Sequence, residues 1–187
     1  MRKSVLVIIA DGFEEIEAVT IIDVLRRAEV DVTSAALDEL EVKGSRGIHV
    51  VADTRLDSLD LDSFDAIVLP GGMGGTLRML ESSELLEALG RQKHAGRLTA
   101  AICAAPLVFE RAGIVDGVPI TSHPSVQSQL ERGEVRADQR IVREGCVLTS
   151  QGPGTAMEFA LAVVAELCGP DKSAELAQAM VVAAAPA

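Results

Sequence analysis

Short runs of apolar, often β-branched residues alternate along the chain with segments whose apolar residues recur at helical spacing. The runs predict strands over Val5–Ala10, Val30–Ala35, Ala66–Leu69, Leu98–Ile102, Val118–Thr121 and Val147–Thr149. The helical spacing predicts helices over Glu14–Ala28, Leu77–His94 with a break at Glu81–Ser83, Ala104–Ala112, Ser125–Glu131, Thr155–Leu167 and Lys172–Val182. This alternation predicts an α/β fold with a doubly wound, mostly parallel sheet sandwiched by helices.

Two segments lie outside this alternation. The segment Glu39–Val51 contains Gly44 and Gly47, which predicts a hairpin attached to the sheet. The acidic segment Asp53–Asp65 predicts a solvated loop. Because the 187 residues contain no repeat, low-complexity tract or linker, we expect one domain over residues 1–187.

Composition and charge narrow the classes of partner and compartment. The formal net charge is -11 and both Trp and Tyr are absent, so nucleic acid is not expected as a stable partner. The apolar run Val5–Ala10 is too short for a signal peptide, and no run suits a membrane span. Cys103, Cys146 and Cys168 show no CxxC spacing, so we expect no disulfide, no metal and a cytoplasmic location.

Cys103 stands where a predicted strand ends and a predicted helix begins. Small neighbours and Pro106 suit a tight strand-to-helix turn, as in a nucleophile elbow. The helix N-terminus would lower the thiol pKa below its ordinary value of about 8.5. The alternative is that Cys103 is a buried small hydrophobe, which is the commoner role of a free cysteine.

A glycine-rich segment follows the preceding predicted strand and reaches the same edge of the sheet. Leu69–Gly75 lacks the Lys and Ser/Thr of a phosphate-binding loop. Its backbone N–H groups could form an oxyanion hole for a carbonyl attacked by Cys103. The glycines could equally serve only the turn.

Two further titratable residues are candidates for the same site. Glu17 lies at the edge of the apolar face of the first helix, where loss of hydration would raise its pKa. It could instead only complement the helix N-terminus together with Glu14 and Glu15. His123 follows a predicted strand and could accept the thiol proton, although no acid beside it in sequence would orient it.

The first helix also carries a second apolar strip. Ile16 and Val19 lie away from the predicted core face, near Asp23 and Arg27. A monomer would expose this strip to water, so we expect a homodimer.

Several motifs together resemble the ThiJ/PfpI superfamily and, within it, its DJ-1-like branch. The resemblance covers nearly the whole chain and rests on Gly12–Glu17, Gly44–Gly47, Val68–Gly72, Ala100–Pro106 and Leu148–Thr155. It implies a flavodoxin-like homodimer without a cofactor. It also implies an oxidation-prone cysteine at Cys103, hydrogen-bonded by a protonated Glu17, with His123 nearby and the N–H groups of Gly72 and Ala104 lining an oxyanion site. Arg27 and Arg46 match basic positions near the family's dimer interface.

The resemblance also implies the chemistry. We expect a glutathione-independent glyoxalase or deglycase that acts on small 2-oxoaldehydes such as methylglyoxal or on their early glycated adducts. The alternative is a non-enzymatic redox sensor or redox-regulated chaperone that uses the same Cys103. Ala104 stands where proteases of the superfamily have histidine, so proteolysis is not expected. Ser125 after His123-Pro124 likewise departs from the pattern of class I glutamine amidotransferases.

Overall fold

The computed structural model describes residues 2–182, so the expected domain over 1–187 extends beyond the described part at both ends. The strands in this range are β1 Ser4–Ile9, β2 Asp31–Ala36, β3 Glu41–Lys43, β4 His49–Val51, β5 Thr54–Arg55, β6 Ala66–Leu69, β7 Leu98–Ile102, β8 Pro119–Ile120, β9 Glu134–Val135, β10 Ile141–Glu144 and β11 Val147–Ser150. The α-helices are α1 Glu15–Arg27, α2 Met73–Glu81, α3 Ser83–His94, α4 Pro106–Arg111, α5 Ala156–Cys168 and α6 Pro170–Ala179.

The main sheet has the strand order β10-β11-β7-β6-β1-β2-β5. Its strands are parallel except β10, which pairs antiparallel with β11. Helices α1, α5 and α6 pack on one face, and α2, α3 and α4 pack on the other. The protein is therefore an α/β sandwich of the flavodoxin-like type, as the alternation of elements predicted.

The central strands are apolar along their length because helices cover both faces. Residues 5–9 of β1 and all of β6 and β7 are buried, which is the pattern expected of a parallel sheet between two helical layers. Ser82 separates α2 from α3, as the predicted break required, and its side chain caps α3 through the N–H of Leu85. Within residues 2–182, no helix is both long and apolar enough to cross a membrane.

The prediction that Asp53–Asp65 forms a solvated loop is wrong. Strand β5 pairs with β2 at the edge of the sheet, and two 3₁₀ turns follow it. Leu56, Leu61 and Phe64 are buried against the layer formed by α2, α3 and α4. The acidic residues between them face water. The high acidic content of the segment therefore gave no indication that these three apolar side chains are buried.

Several other elements also differ from the prediction. Val118–Thr121 yields only the short β8, which pairs with β9 outside the main sheet, since Pro119 has no N–H to donate. Ser125–Glu131 forms a 3₁₀ turn over Gln127–Gln129, because side chains bond locally: the Gln127 amide donates to the Ser122 carbonyl. Strand β10 was not predicted, since it is a partly exposed edge strand.

The hairpin predicted over Glu39–Val51 is confirmed as β3 and β4, paired antiparallel in a sheet of its own. It covers a small apolar cluster consisting of Ile9, Phe13, Ala18, Ala36, Val42 and Ala52. This cluster joins the hairpin to the carboxyl ends of β1 and β2. The hairpin therefore stands next to the edge of the sheet where the candidate site lies.

Candidate active site

The site lies at the carboxyl ends of β1, β6 and β7, where the chain order across the sheet reverses. From β1 the sheet continues to β2 on one side and to β6 on the other. Loops leaving neighbouring strands diverge at such a point, and ligands of doubly wound folds bind in the resulting crevice. Here the turn after β1, the glycine segment after β6 and Cys103 after β7 meet.

Cys103 adopts a backbone conformation that only a constrained turn imposes on a non-glycine residue. Its φ is +65°, in the left-handed region. The N–H of Cys103 donates to the Ser150 carbonyl at 3.0 Å, and its carbonyl accepts the His123 N–H at 2.8 Å. These bonds hold the elbow, since a strained residue of this kind costs about 1–3 kcal/mol. The strand-to-helix elbow expected at Cys103 is therefore present.

Gly71 packs closely against both Cys103 and Glu17. A Cβ added there would lie 2.6 Å from the Cys103 Cβ and 2.8 Å from Glu17 Oε2. Gly72 has a φ of +88°, and a Cβ on it would overlap the backbone of Gly12 and Glu14. Both positions therefore require glycine, for space at Gly71 and for space and conformation at Gly72.

Glu17 is fully buried, and its carboxyl group faces Cys103. Oε2 accepts the Gly71 N–H at 2.7 Å, whereas Oε1 has no hydrogen-bond partner within residues 2–182. Burial raises the pKa of Glu17 to about 7, against a stabilising bond from Gly71. The expected rise in the pKa of Glu17 is thus supported. The residue that caps the N-terminus of α1 is Glu14, whose carboxylate accepts the Glu17 N–H at 2.8 Å.

The expected low pKa of Cys103 is wrong. Burial raises the pKa of the Cys103 thiol to about 12, and the charge of Glu17 adds to the rise. The N–H groups of Gly72 and Ala104 point toward the sulfur and act in the opposite sense, as the helix N-terminus was expected to do. The sequence indicated a helix N-terminus next to Cys103. It did not indicate that the turn buries the thiol next to a carboxylate.

Cys103 and Glu17 consequently titrate as a pair. With one proton lost, the pair carries a single negative charge, and it lies on the carboxylate because the pKa of Glu17 is about 7 and that of Cys103 about 12. Gly71 stabilises the charge on Glu17, and Gly72 with Ala104 stabilises it on Cys103. Near neutral pH the Glu17 carboxylate is therefore the group that can accept the thiol proton when the sulfur reacts.

His123 lines the same pocket, but its ring is hydrogen-bonded to Ser125 and not to Cys103. Nδ1 lies 2.8 Å from the Ser125 hydroxyl and accepts the Ser125 N–H at 3.2 Å. A backbone N–H can only donate, so Nδ1 is an acceptor and the proton of the neutral ring is on Nε2. His123 is therefore arranged to donate a hydrogen bond from Nε2.

An open pocket of about 520 Å³ surrounds these groups. Its lining residues are Gly12, Glu14, Ser45, Arg46, Gly72, Met73, Gly74, Cys103, Ala104, His123, Ser125 and Pro153. Four of the five expected site residues line it, and Glu17 lies behind Cys103. Arg27 instead pairs with Asp23 on the surface at 2.7 Å. The contribution of Ser45 was missed, because spacing along the chain does not show that the hairpin folds back onto the elbow.

No three His, Cys, Asp or Glu side chains in the described part of the chain converge as metal ligands. The chemistry available to the pocket from this chain is a thiol, a carboxyl group with a pKa near 7, an imidazole and two inward N–H groups. Such a set suits nucleophilic addition to a carbonyl, followed by proton transfer.

Comparison with known proteins agrees with the architecture. Residues 3–166 match the model of the DJ-1/PfpI family. The chain is 46% identical over 185 residues to the protein dj-1beta of Drosophila melanogaster, covering 98% of this chain and 99% of that protein. The crystal structure of Drosophila melanogaster DJ-1beta superposes with a TM-score of 0.95, covering 98% of this chain and 100% of that chain.

Two other relatives have names that bear on chemistry. The chain is 37% identical over 177 residues to the Caenorhabditis elegans protein named glutathione-independent glyoxalase DJR-1.2, covering 94% of each. It also superposes on the structure of oxidized Toxoplasma gondii DJ-1 with a TM-score of 0.91 at 36% identity, covering 97% of this chain and 100% of that chain.

Proposed function

Because the chain belongs to the DJ-1/PfpI family, we propose that it is a cysteine-dependent glyoxalase or deglycase that needs no glutathione. Its substrates would be methylglyoxal, glyoxal or their early adducts, and its products 2-hydroxy acids. The name of the Caenorhabditis elegans relative supports the reaction class. The observation that carries the proposal is the contact between the Cys103 thiol and the Glu17 carboxyl beside two inward N–H groups.

Addition to the aldehyde is the first step. The Cys103 sulfur bonds to the aldehyde carbon while its proton moves to the Glu17 carboxylate. A base with a pKa of about 7 is matched to this transfer near neutral pH. The N–H groups of Gly72 and Ala104 stabilise the oxyanion that forms. Glu17 then returns the proton to this oxygen, which gives a neutral hemithioacetal.

Proton relocation is the second step. Glu17 removes the hydrogen from the former aldehyde carbon, and His123 Nε2–H donates a hydrogen bond to the neighbouring carbonyl oxygen as it gains charge. Glu17 delivers the proton to that second carbon while the hydroxyl proton on the first carbon moves to the second oxygen, which leaves a thioester of the 2-hydroxy acid on Cys103. Water hydrolyses the thioester and restores the thiol. The net change for methylglyoxal is addition of one water to give lactate.

Steady-state turnover of methylglyoxal to lactate tests this proposal. We expect Cys103→Ser to abolish turnover, because a hydroxyl in the same buried turn is both less acidic and a weaker nucleophile than the thiol. Glu17→Gln should lower kcat by at least about 100-fold, since it removes the base. His123→Ala should lower kcat by about 100-fold, as expected for the loss of one donor to an oxygen that gains charge. If the reduced protein gives no lactate above the Cys103→Ser background, the enzyme proposal is wrong.

A redox function of the same cysteine is the second candidate. The Glu17 carboxyl contacts Cys103, and its Oε1 is buried without a hydrogen-bond partner in the described chain. When protonated, Glu17 could donate a hydrogen bond from this oxygen to an oxygen added to the sulfur. If peroxide converts Cys103 to the sulfinate in wild type but carries it on to the sulfonate in Glu17→Ala, this candidate gains support. Absence of turnover with such stabilised oxidation would favour it over the enzyme.

We also propose that the protein is a cytoplasmic homodimer. Ile16 and Val19 are 58% and 49% exposed, and Ile48 and Val51 on the hairpin are 57% and 70% exposed. Val19 and Val51 line one shallow depression between the helix and the hairpin, together with charged residues such as Asp23 and Arg26. A cytoplasmic location is supported by Cys103, Cys146 and Cys168, all of which are free thiols.

A further inference from the structure

Glu15 is a buried carboxylate that the reaction proposed above does not use. It is the first residue of α1 and only 5% exposed. Charged groups are seldom buried to this extent without compensating bonds. Its contacts therefore indicate what it does.

Each of these contacts is with the turn of the β3–β4 hairpin. The carboxylate accepts the Arg46 N–H at 2.6 Å, the Ser45 hydroxyl at 3.0 Å and the Ile48 N–H at 3.4 Å. Burial alone would raise the pKa of Glu15, but these bonds outweigh it and keep the pKa below its ordinary value. The group is thus held as a carboxylate at neutral pH.

The fit between the two elements is tight. A Cβ on Gly44 would overlap the Glu15 side chain, so the hairpin backbone packs directly on the carboxylate. Each strand of the hairpin has only three residues, and neither strand pairs with a described strand of the main sheet. A hairpin of this size depends on tertiary contacts for its position.

The same turn forms one wall of the pocket at Cys103, through Ser45 and Arg46. Glu15 itself does not line the pocket, and Glu17 lies two residues further along the same helix. The first turn of α1 therefore holds both the group that faces the thiol and the wall opposite it.

We infer that Glu15 is a positioning residue, which places the Ser45–Arg46 wall and thereby sets how well substrate binds at Cys103. This inference rests on the proposed function for its kinetic part. Small displacements of groups that position a substrate have large kinetic effects. Loss of the carboxylate should weaken binding and leave the chemistry at Cys103 and Glu17 in place.

The test compares Glu15→Gln with Glu41→Gln, the same substitution at an exposed hairpin carboxylate whose bond is to the exposed His49 side chain and not to a backbone N–H of the turn. In Glu15→Gln we expect KM for methylglyoxal to rise about 10-fold with kcat within about 2-fold, since bonds to a charged acceptor are lost. Amide hydrogen exchange at Arg46 and Ile48 should accelerate about 10-fold, because their acceptor loses its charge. Glu41→Gln should change neither quantity.

Two measurements keep the test independent of turnover and of the first variant. If wild type shows no turnover, exchange and the alkylation of Cys103 by a bulky maleimide relative to iodoacetamide still report the wall. That ratio should rise in Glu15→Gln. Gly44→Ala, which crowds the same contact from the hairpin side, replaces Glu15→Gln if the latter does not fold.

Backbone bonds from Gly12 to Lys43 and from Ser45 to Phe13 anchor the hairpin independently of Glu15. If they alone suffice, Glu15→Gln leaves exchange, KM and the alkylation ratio unchanged, and the inference is wrong. A fall in kcat with unchanged KM also overturns it, because Glu15 would then act on the chemistry.

Discussion

Cys103 is held in a left-handed backbone conformation by hydrogen bonds and close contacts with other segments of the chain. Its backbone N–H and carbonyl are bonded to Ser150 and His123, which belong to other segments. Gly71 packs against its Cβ. The cost of the strained φ is thus met by contacts outside the elbow, and the sulfur is aimed at Glu17 and the inward N–H groups.

The raised pKa of Glu17 has a consequence for stability. The folded protein keeps a proton on Glu17 between the ordinary carboxyl value of 4.5 and about 7, whereas the unfolded chain has released it. Stability therefore falls as pH rises through this window, and the loss is complete above it. A shift of this size corresponds to about 3 kcal/mol.

Glu17→Gln removes this titration. We expect the variant to gain stability relative to wild type as pH rises through the window, reaching up to about 3 kcal/mol above it. Urea unfolding of both proteins below, within and above the window measures the difference, and other carboxyl groups cancel in the comparison. Parallel stability curves for the two proteins would show that Glu17 is not perturbed.

The segment between β11 and α5 is an element whose shape depends on buried hydroxyl groups. The Thr155 hydroxyl accepts the Gly152 N–H at 3.1 Å and lies 2.6 Å from the Ser150 hydroxyl. Ser150 in turn donates to the Arg140 carbonyl at 2.9 Å. This network connects β10, β11 and the turn that brings Pro153 to the pocket.

Thr155→Val should destabilise the protein by about 1–3 kcal/mol, because a buried N–H and a buried hydroxyl lose a partner while the volume is unchanged. Thr155→Ser keeps the hydroxyl and should cost less than about 1 kcal/mol. Thermal or urea unfolding of the three proteins measures this order. Equal losses in the two variants would mean that the methyl group, and not the network, matters.

At the scale of the whole molecule, α1 and the hairpin expose large apolar side chains to water. Contacts within a single chain do not account for this exposure. Core residues of the sheet are covered by helices on both sides, whereas Ile16, Val19, Ile48 and Val51 are about half exposed or more. Large apolar side chains exposed on adjoining elements of a folded protein often mark an interface.

We expect wild type to sediment as a dimer at micromolar concentration and Ile16→Glu/Val51→Glu as a monomer, because buried unpaired charges would oppose association. Val181→Glu is the control, since Val181 is 88% exposed and lies after α6. It should leave the dimer intact. A wild-type monomer, or a dimer that tolerates the double variant, would contradict this interface.

The order of elements and the approximate site followed from local patterns. Near-continuous apolar strands between helical segments specify a sheet covered on both faces, and the elbow at Cys103 is visible as small residues before a proline. The motifs between Gly12 and Thr155 also indicated the family to which the chain belongs. These features are properties of neighbouring residues, so the sequence alone determines them.

Tertiary structure decided the rest. Whether the thiol is exposed or buried beside Glu17 depends on how closely Gly71 lets the loop after β6 approach these two side chains, and this burial reversed the expected direction of the Cys103 pKa. The buried face of Asp53–Asp65 and the pocket wall held by Glu15 likewise arise between segments far apart in sequence. Burial, electrostatics and the choice of hydrogen-bond partner are set by neighbours in space, and only the folded chain brings those neighbours together.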